Sequence, residues 1–160
     1  MFDNGHPPNG GASGGKEAEV VTTMRTAVGY PAAHQLLRRA QLELDAADAS
    51  ADPQTAFLHA HMAAIRTASA VLAIAPGAPR RRRRVLSVWE QLAEAGPAWE
   101  RWAATFAAGA PVRAAIEAGR LPELDERVAA VALDSARDFH DEVRATVREA
   151  ETVAVPSLAS

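Results

Sequence analysis

The chain has 160 residues, enough for one domain with a real core, and a formal charge of −3 with an isoelectric point near 5.9, which excludes bulk attraction to nucleic acid or to an anionic membrane. It contains no cysteine, which removes disulfides, thiol nucleophiles and cysteine-ligated metal centres together. No uninterrupted apolar run approaches the roughly 18 residues of a membrane span, and no basic-then-apolar leader opens the chain, so a cytoplasmic protein without membrane contact is expected.

Residues 1–16 hold Gly5, Pro7, Pro8, Gly10, Gly11, Gly14 and Gly15 with almost nothing apolar to bury. Ordering them would cost backbone entropy without return, and a disordered tail is expected there. From residue 17 to 152 Ala, Leu, Val, Glu and Arg dominate and strand signals are scarce, so one helical domain is expected, with a flexible terminus over 153–160.

A first short helix is expected from Glu17 to Val28, ending at Gly29, with Pro31 opening a second that carries Leu36, Leu37, Ala40, Leu44 and Ala47 to about Ala49. Asp52-Pro53 is a helix start, an acceptor side chain followed by a residue whose missing N–H is no loss in a first turn. The helix it opens, to about Ala75, shows one stripe of Phe57, Ala60, Ala64, Ala68 and Val71 and an adjacent one of Leu58, Met62, Ile65, Ser69 and Leu72, which makes it central. After Pro76 to Pro79, Val85, Val88, Trp89 and Leu92 give the next inner face, then Trp99, Trp102, Ala103 and Phe106, then Val112, Ala115 and Ile116 up to Gly119. Pro122 is expected to open the last helix, striped by Leu124, Val128, Val131, Ser135, Phe139, Val143 and Val147. Short connections between such segments favour an all-α antiparallel bundle of about five helices.

Three groups of residues stand out as candidate sites. His59 and His61 are two apart on the central helix, so they point about 200° away from each other and cannot clasp one metal. His61 falls among the apolar stripes, whereas His59 shares a face with Arg66; His59, His61 and Arg66 make a candidate polar edge facing a partner, or an acid–base and anion-binding couple. Arg80, Arg81, Arg82, Arg83 and Arg84 are read as the start of a helix, where the dipole disfavours cations, and form a candidate anion-binding patch for phosphate or an acidic protein, against the plainer reading of a solvated loop. Arg137 and His140, three apart on the last helix, are a weaker phosphate-binding candidate because Asp134, Asp138 and Asp141 are within reach. Trp89, Trp99 and Trp102 share phase with core positions and are read as core anchors. No phosphate loop, nucleophile motif or metal-ligand signature occurs, so no catalytic residue, metal or cofactor is assigned.

The segment Leu58 to Ala73, LHAHMAAIRTASAVLA, followed by Ser87-Val88-Trp89-Glu90 and by Trp102-Ala103 through Phe106-Ala107-Ala108-Gly109-Ala110, resembles the stand-alone HEPN proteins of actinobacteria over about Pro31 to Val147. The resemblance implies a small helical bundle, in many members dimeric, whose active members are metal-independent ribonucleases using an Arg followed by four to six residues and a His. No Arg stands at that distance before any His here: Arg137 has two residues before His140 and Arg25 eight before His34, while His61 and Arg66 have the gap in reverse order. The resemblance therefore implies the fold more than the activity. The expected function is a non-enzymatic HEPN-like module that forms a homodimer and binds a nucleic acid or acidic protein partner; the alternative is a divergent ribonuclease using an Arg/His pair.

Overall fold

Asp52 is where the first long helix hands over to the second. Its carboxylate accepts from the Thr55 hydroxyl at 2.6 Å and the Thr55 amide at 2.9 Å, contacts that hold it below the usual aspartate range, and α2 (Pro53–Ile74) begins at the next residue. The computed structural model describes residues 13–76 and 85–154, with residues 13, 14 and 17–28 as backbone only. Within them the other helices are α1 (Ser13–Ala49), α3 (Val88–Glu94), α4 (Pro97–Ala107), α5 (Ala110–Glu117) and α6 (Glu126–Ala154), and no strand is present among the described residues. The expected tail lies outside the described residues up to residue 12, and Ser13 to Lys16 already belong to α1; at the other end α6 includes Val153 and Ala154, and 155–160 lie outside.

α1 lies antiparallel to two neighbours. Gly29 sits against Ala73 and Glu43 against His59 of α2, while His34 meets Glu151 and Asp48 meets Arg137 of α6. α2 and α6 therefore run parallel, and the chain must return the length of α2, roughly 33 Å, between them. α3, α4 and α5 make that return. The first stripe read along α2 is buried throughout, Ala60, Ala64 and Ala68 completely, and the second is half-buried. α2 is long and apolar enough by length and composition to cross a membrane, and half of that window is buried inside the chain's own bundle. The core closes at the α3–α4 end on aromatic rings: Trp89 over Phe106 at 5.4 Å, Trp102 by Phe139 at 5.2 Å and Phe106 by Phe139 at 5.3 Å.

Four expectations are corrected. Gly29 and Pro31 do not separate two helices, because α1 is continuous over 37 residues with Pro31 inside. Proline in a helix costs about 3 kcal/mol, and the burial of Tyr30, Ala33 and Leu37 on either side of it offsets that cost. Gly29 serves packing instead of termination: a Cβ there would collide with the carbonyl oxygen of Ala73. Val85 is 97% exposed, and the next helix starts only at Val88, where Ser87 and Glu90 form a capping box. The run Arg80 to Arg84, expected at the start of that helix, lies outside the described residues. Pro122 does not open the last helix, since Asp125 takes that position, its carboxylate accepting from the Arg127 amide at 2.8 Å. The buried stripe of α6 also differs from the expected one, because each step of four residues drifts about 40° around a helix. Val128 and Val131 lie outside, 42% and 64% exposed, and Ala129, Leu133 and Ala136 lie inside.

The Gly29 contact has a measurable sign. Helix propensity alone favours Gly29→Ala by about 1 kcal/mol. Backbone overlap with Ala73 reverses this, and urea denaturation should show the variant less stable by about 1–3 kcal/mol. Equal or greater stability would mean that α1 and α2 are not in contact there.

Candidate functional site

The symmetry of the α1–α2 hairpin puts position 43 opposite position 59, each eight residues from residue 51 in the connection. Glu43 is there, and its carboxylate holds both polar residues of the α2 edge. His59 Nδ1 donates to Oε2 at 2.7 Å, and Arg66 Nη2 donates to Oε1 at 3.3 Å. His59 and Arg66 are thus brought together through a third group and make no direct contact of their own. The Glu43 side chain is only 20% exposed, so the three groups form a partly desolvated cluster rather than a loose surface pair.

A cavity of about 260 Å³ opens beside this cluster, with Leu58 and Met62 in its wall and Arg113 and Glu117 of α5 completing it. Arg113 Nε donates to Glu117 at 3.0 Å. Arg66 Nε is buried and has no hydrogen-bond partner among the described residues. The chemistry on offer is recognition by paired charges: every charged group in the wall already has a partner of opposite sign, and the half-buried apolar side chains between them supply contact area.

His61 points inward, 4% exposed. Its ring stacks on Phe57 with centroids 6.0 Å apart and meets the edge of Trp89 at 5.5 Å, and Gly109 is close enough that a Cβ there would lie 3.4 Å from Nδ1. Burial, and after it the positive charge of Arg113, lowers its pKa to about 4, with Glu117 pulling the other way. His61 is therefore a neutral core ring at pH 7 and is not part of the edge that carries His59 and Arg66.

Arg137 and His140 are likewise separated. His140 is 3% exposed, and its Nε2 donates to the Leu37 carbonyl of α1 at 3.0 Å. Arg137 turns to Asp48 at 2.6 Å and Asp134 at 3.8 Å. They do not form one anion site. Trp89 and Trp102 are core, each 7% exposed, with the Trp102 indole donating to Glu142 at 2.9 Å, while Trp99 is half-buried against Phe139. Among the described residues no group of three or more His, Asp or Glu stands where it could hold a metal ion. Sequence reading missed Glu43, Arg113 and Glu117. The hairpin symmetry could have found the first, but the crossing of α5 over α2 has no local signal.

A family model described as SAV_6107-like HEPN matches residues 47–144, 98 of the 160 residues. No curated protein and no solved structure matches the chain.

The depressed pKa of His61 sets a pH dependence. Between pH 6.5 and about 4 the unfolded chain binds a proton at this residue that the folded chain refuses, so stability falls as the pH drops through that window. The loss amounts to about 3 kcal/mol below pH 4. In denaturant titrations from pH 7 to 4, His61→Phe should remove this part of the slope; an unchanged slope would show that His61 charges freely in the fold.

Proposed function

This chain belongs to the SAV_6107-like HEPN family, and on that premise we propose that it is a non-catalytic helical module whose α2 edge pairs with a second copy of itself. The observation that carries this is the position of Glu43. One carboxylate occupies both His59 and Arg66, the two residues that acid–base chemistry at this edge would need free, and makes of them a preformed polar clamp. The cavity wall adds the Arg113–Glu117 pair and the half-buried Leu58 and Met62. A patch of equal cation and carboxylate content suits a two-fold contact, because each guanidinium then meets a carboxylate of the other copy.

The alanine face of α2 is not the pairing surface. Ala60, Ala63, Ala64, Ala68 and Ala70 are fully buried against other helices of the same chain, which leaves the edge with His59, Met62 and Arg66. The run Arg80 to Arg84 remains a proposed contact for an acidic partner on its sequence alone.

Light scattering after size exclusion should give twice the chain mass for the full-length protein. Met62→Glu, which sets a further carboxylate beside Glu43 and Glu117, should shift it to the monomer with little change in melting temperature. A monomeric parent protein sinks the pairing. In parallel, a mixed RNA pool incubated without metal should stay intact; cleavage that vanishes in a folded His59→Ala variant would establish the ribonuclease alternative instead.

A further inference from the structure

On the side of α1 away from the α2 edge, two adjoining cavities of about 240 and 500 Å³ share Arg38 and Gln41 and form one trough along α1 and α6. α1 contributes Arg38, Arg39 and Leu42, and α6 contributes Arg144 and Arg148. Among the described residues no carboxylate lines either part. Arg38, Arg39 and Arg148 are exposed and form no ion pair among the described residues. Arg144 has only Asp141, at 3.5 Å, and the carboxylate at the far end, Glu151, is engaged by His34 at 2.7 Å. In a chain of net charge −3, this is a local surplus of guanidinium groups, of which only Arg144 has a carboxylate partner among the described residues. The floor is firm, because the bond from His140 to the Leu37 carbonyl ties α6 to α1 directly beneath.

We propose that this trough is a docking surface for an acidic amphipathic helix of a partner protein. Two features choose that occupant. Arg144 and Arg148 stand one turn apart on α6, with Arg38 and Arg39 of α1 on the same trough, a spacing that suits carboxylates three or four residues apart on a helix. Leu42, 68% exposed, offers an apolar anchor in the same trough, to which an apolar residue of the incoming helix would bind. A nucleic acid strand would use the charges but not Leu42, and among the described residues no Trp, Tyr or Phe lines the trough, its two imidazoles, His34 and His140, being engaged by Glu151 and the Leu37 carbonyl. The inference does not rest on pairing through the α2 edge, since the two surfaces share no residue.

The test uses the full chain and a fluorescein-labelled helical peptide of Glu, Ala and Leu, read by anisotropy beside a labelled oligouridine of matching length. The peptide should bind saturably. Arg38→Gln and Arg148→Gln should each weaken it about tenfold, the scale of one lost charged hydrogen bond. Leu42→Ser should weaken it several-fold, and Arg120→Gln, which removes an exposed arginine at the end of α5, should leave it unchanged. All four sites are exposed, so each variant can be checked for an unaltered melting temperature. The proposal is overturned by no saturation up to about 1 mM peptide, by tighter binding of the oligouridine, or by an Arg120→Gln loss equal to that of Arg38→Gln. Sizing of the same samples reads the dimer separately, so failure of one proposal leaves the other measurable.

Discussion

The distance at which α1 and α6 can approach α2 is the constraint on which the rest of this structure depends. α2 faces its neighbours with Ala60, Ala63, Ala64, Ala68 and Ala70, all fully buried, and α1 answers with Gly29 and Ala33 at the end where the backbones come closest. Small side chains bring main chains near and give many weak contacts, but they fill little volume. The bulk of the core must therefore come from elsewhere, and it comes from the rings of Trp89, Trp102, Phe106 and Phe139 at the α3–α4 end. The short helices of the return crossing thus close the core as well as reconnecting α2 to α6.

Close approach also dictates how polar groups are satisfied. A long side chain cannot lie between helices held this near, so the buried ones reach main-chain acceptors or rings. His140 uses the Leu37 carbonyl, Thr67 bonds back to the Ala63 carbonyl at 2.8 Å, and His61 is held between Phe57 and Trp89. Charged residues sit at the seams, where α1 meets α2 through Glu43 and meets α6 through Asp48. Those seams carry mixed charge, whereas the trough between α1 and α6 is lined by arginines and, among the described residues, by no carboxylate.

Much of the fold was legible because it is local. The Asp52-Pro53 start, the two stripes of α2 and the aromatic faces of α3 and α4 all follow from spacing and capping within one helix. The errors share a cause. Gly29 and Pro31 are breakers by propensity, and only the contact with Ala73 and the burial of Tyr30 explain why α1 runs through them. The phase of α6 failed because valines look like core and alanines look neutral, while the close-packed seam with α2 wants Ala129 and Ala136 inside. Of the site, His59 and Arg66 were found from their shared face, but Glu43 lies on another helix and α5 approaches from a third direction. The pairing of His140 with Arg137 as a phosphate-binding candidate fails for the same reason: a histidine bonded to a distant carbonyl has the same local sequence as one in solvent.

All three tryptophans of the chain belong to α3 and α4, and none lies on α1, α2 or α6. Indole fluorescence will therefore follow the docking of the return crossing, while far-ultraviolet circular dichroism will be dominated by the three long helices. Two optical signals thus watch two different portions of one bundle. Where their unfolding curves superimpose, the crossing and the long helices melt as one cooperative unit; where emission changes first, the α1–α2–α6 layer persists as a helical remnant after its aromatic closure has opened.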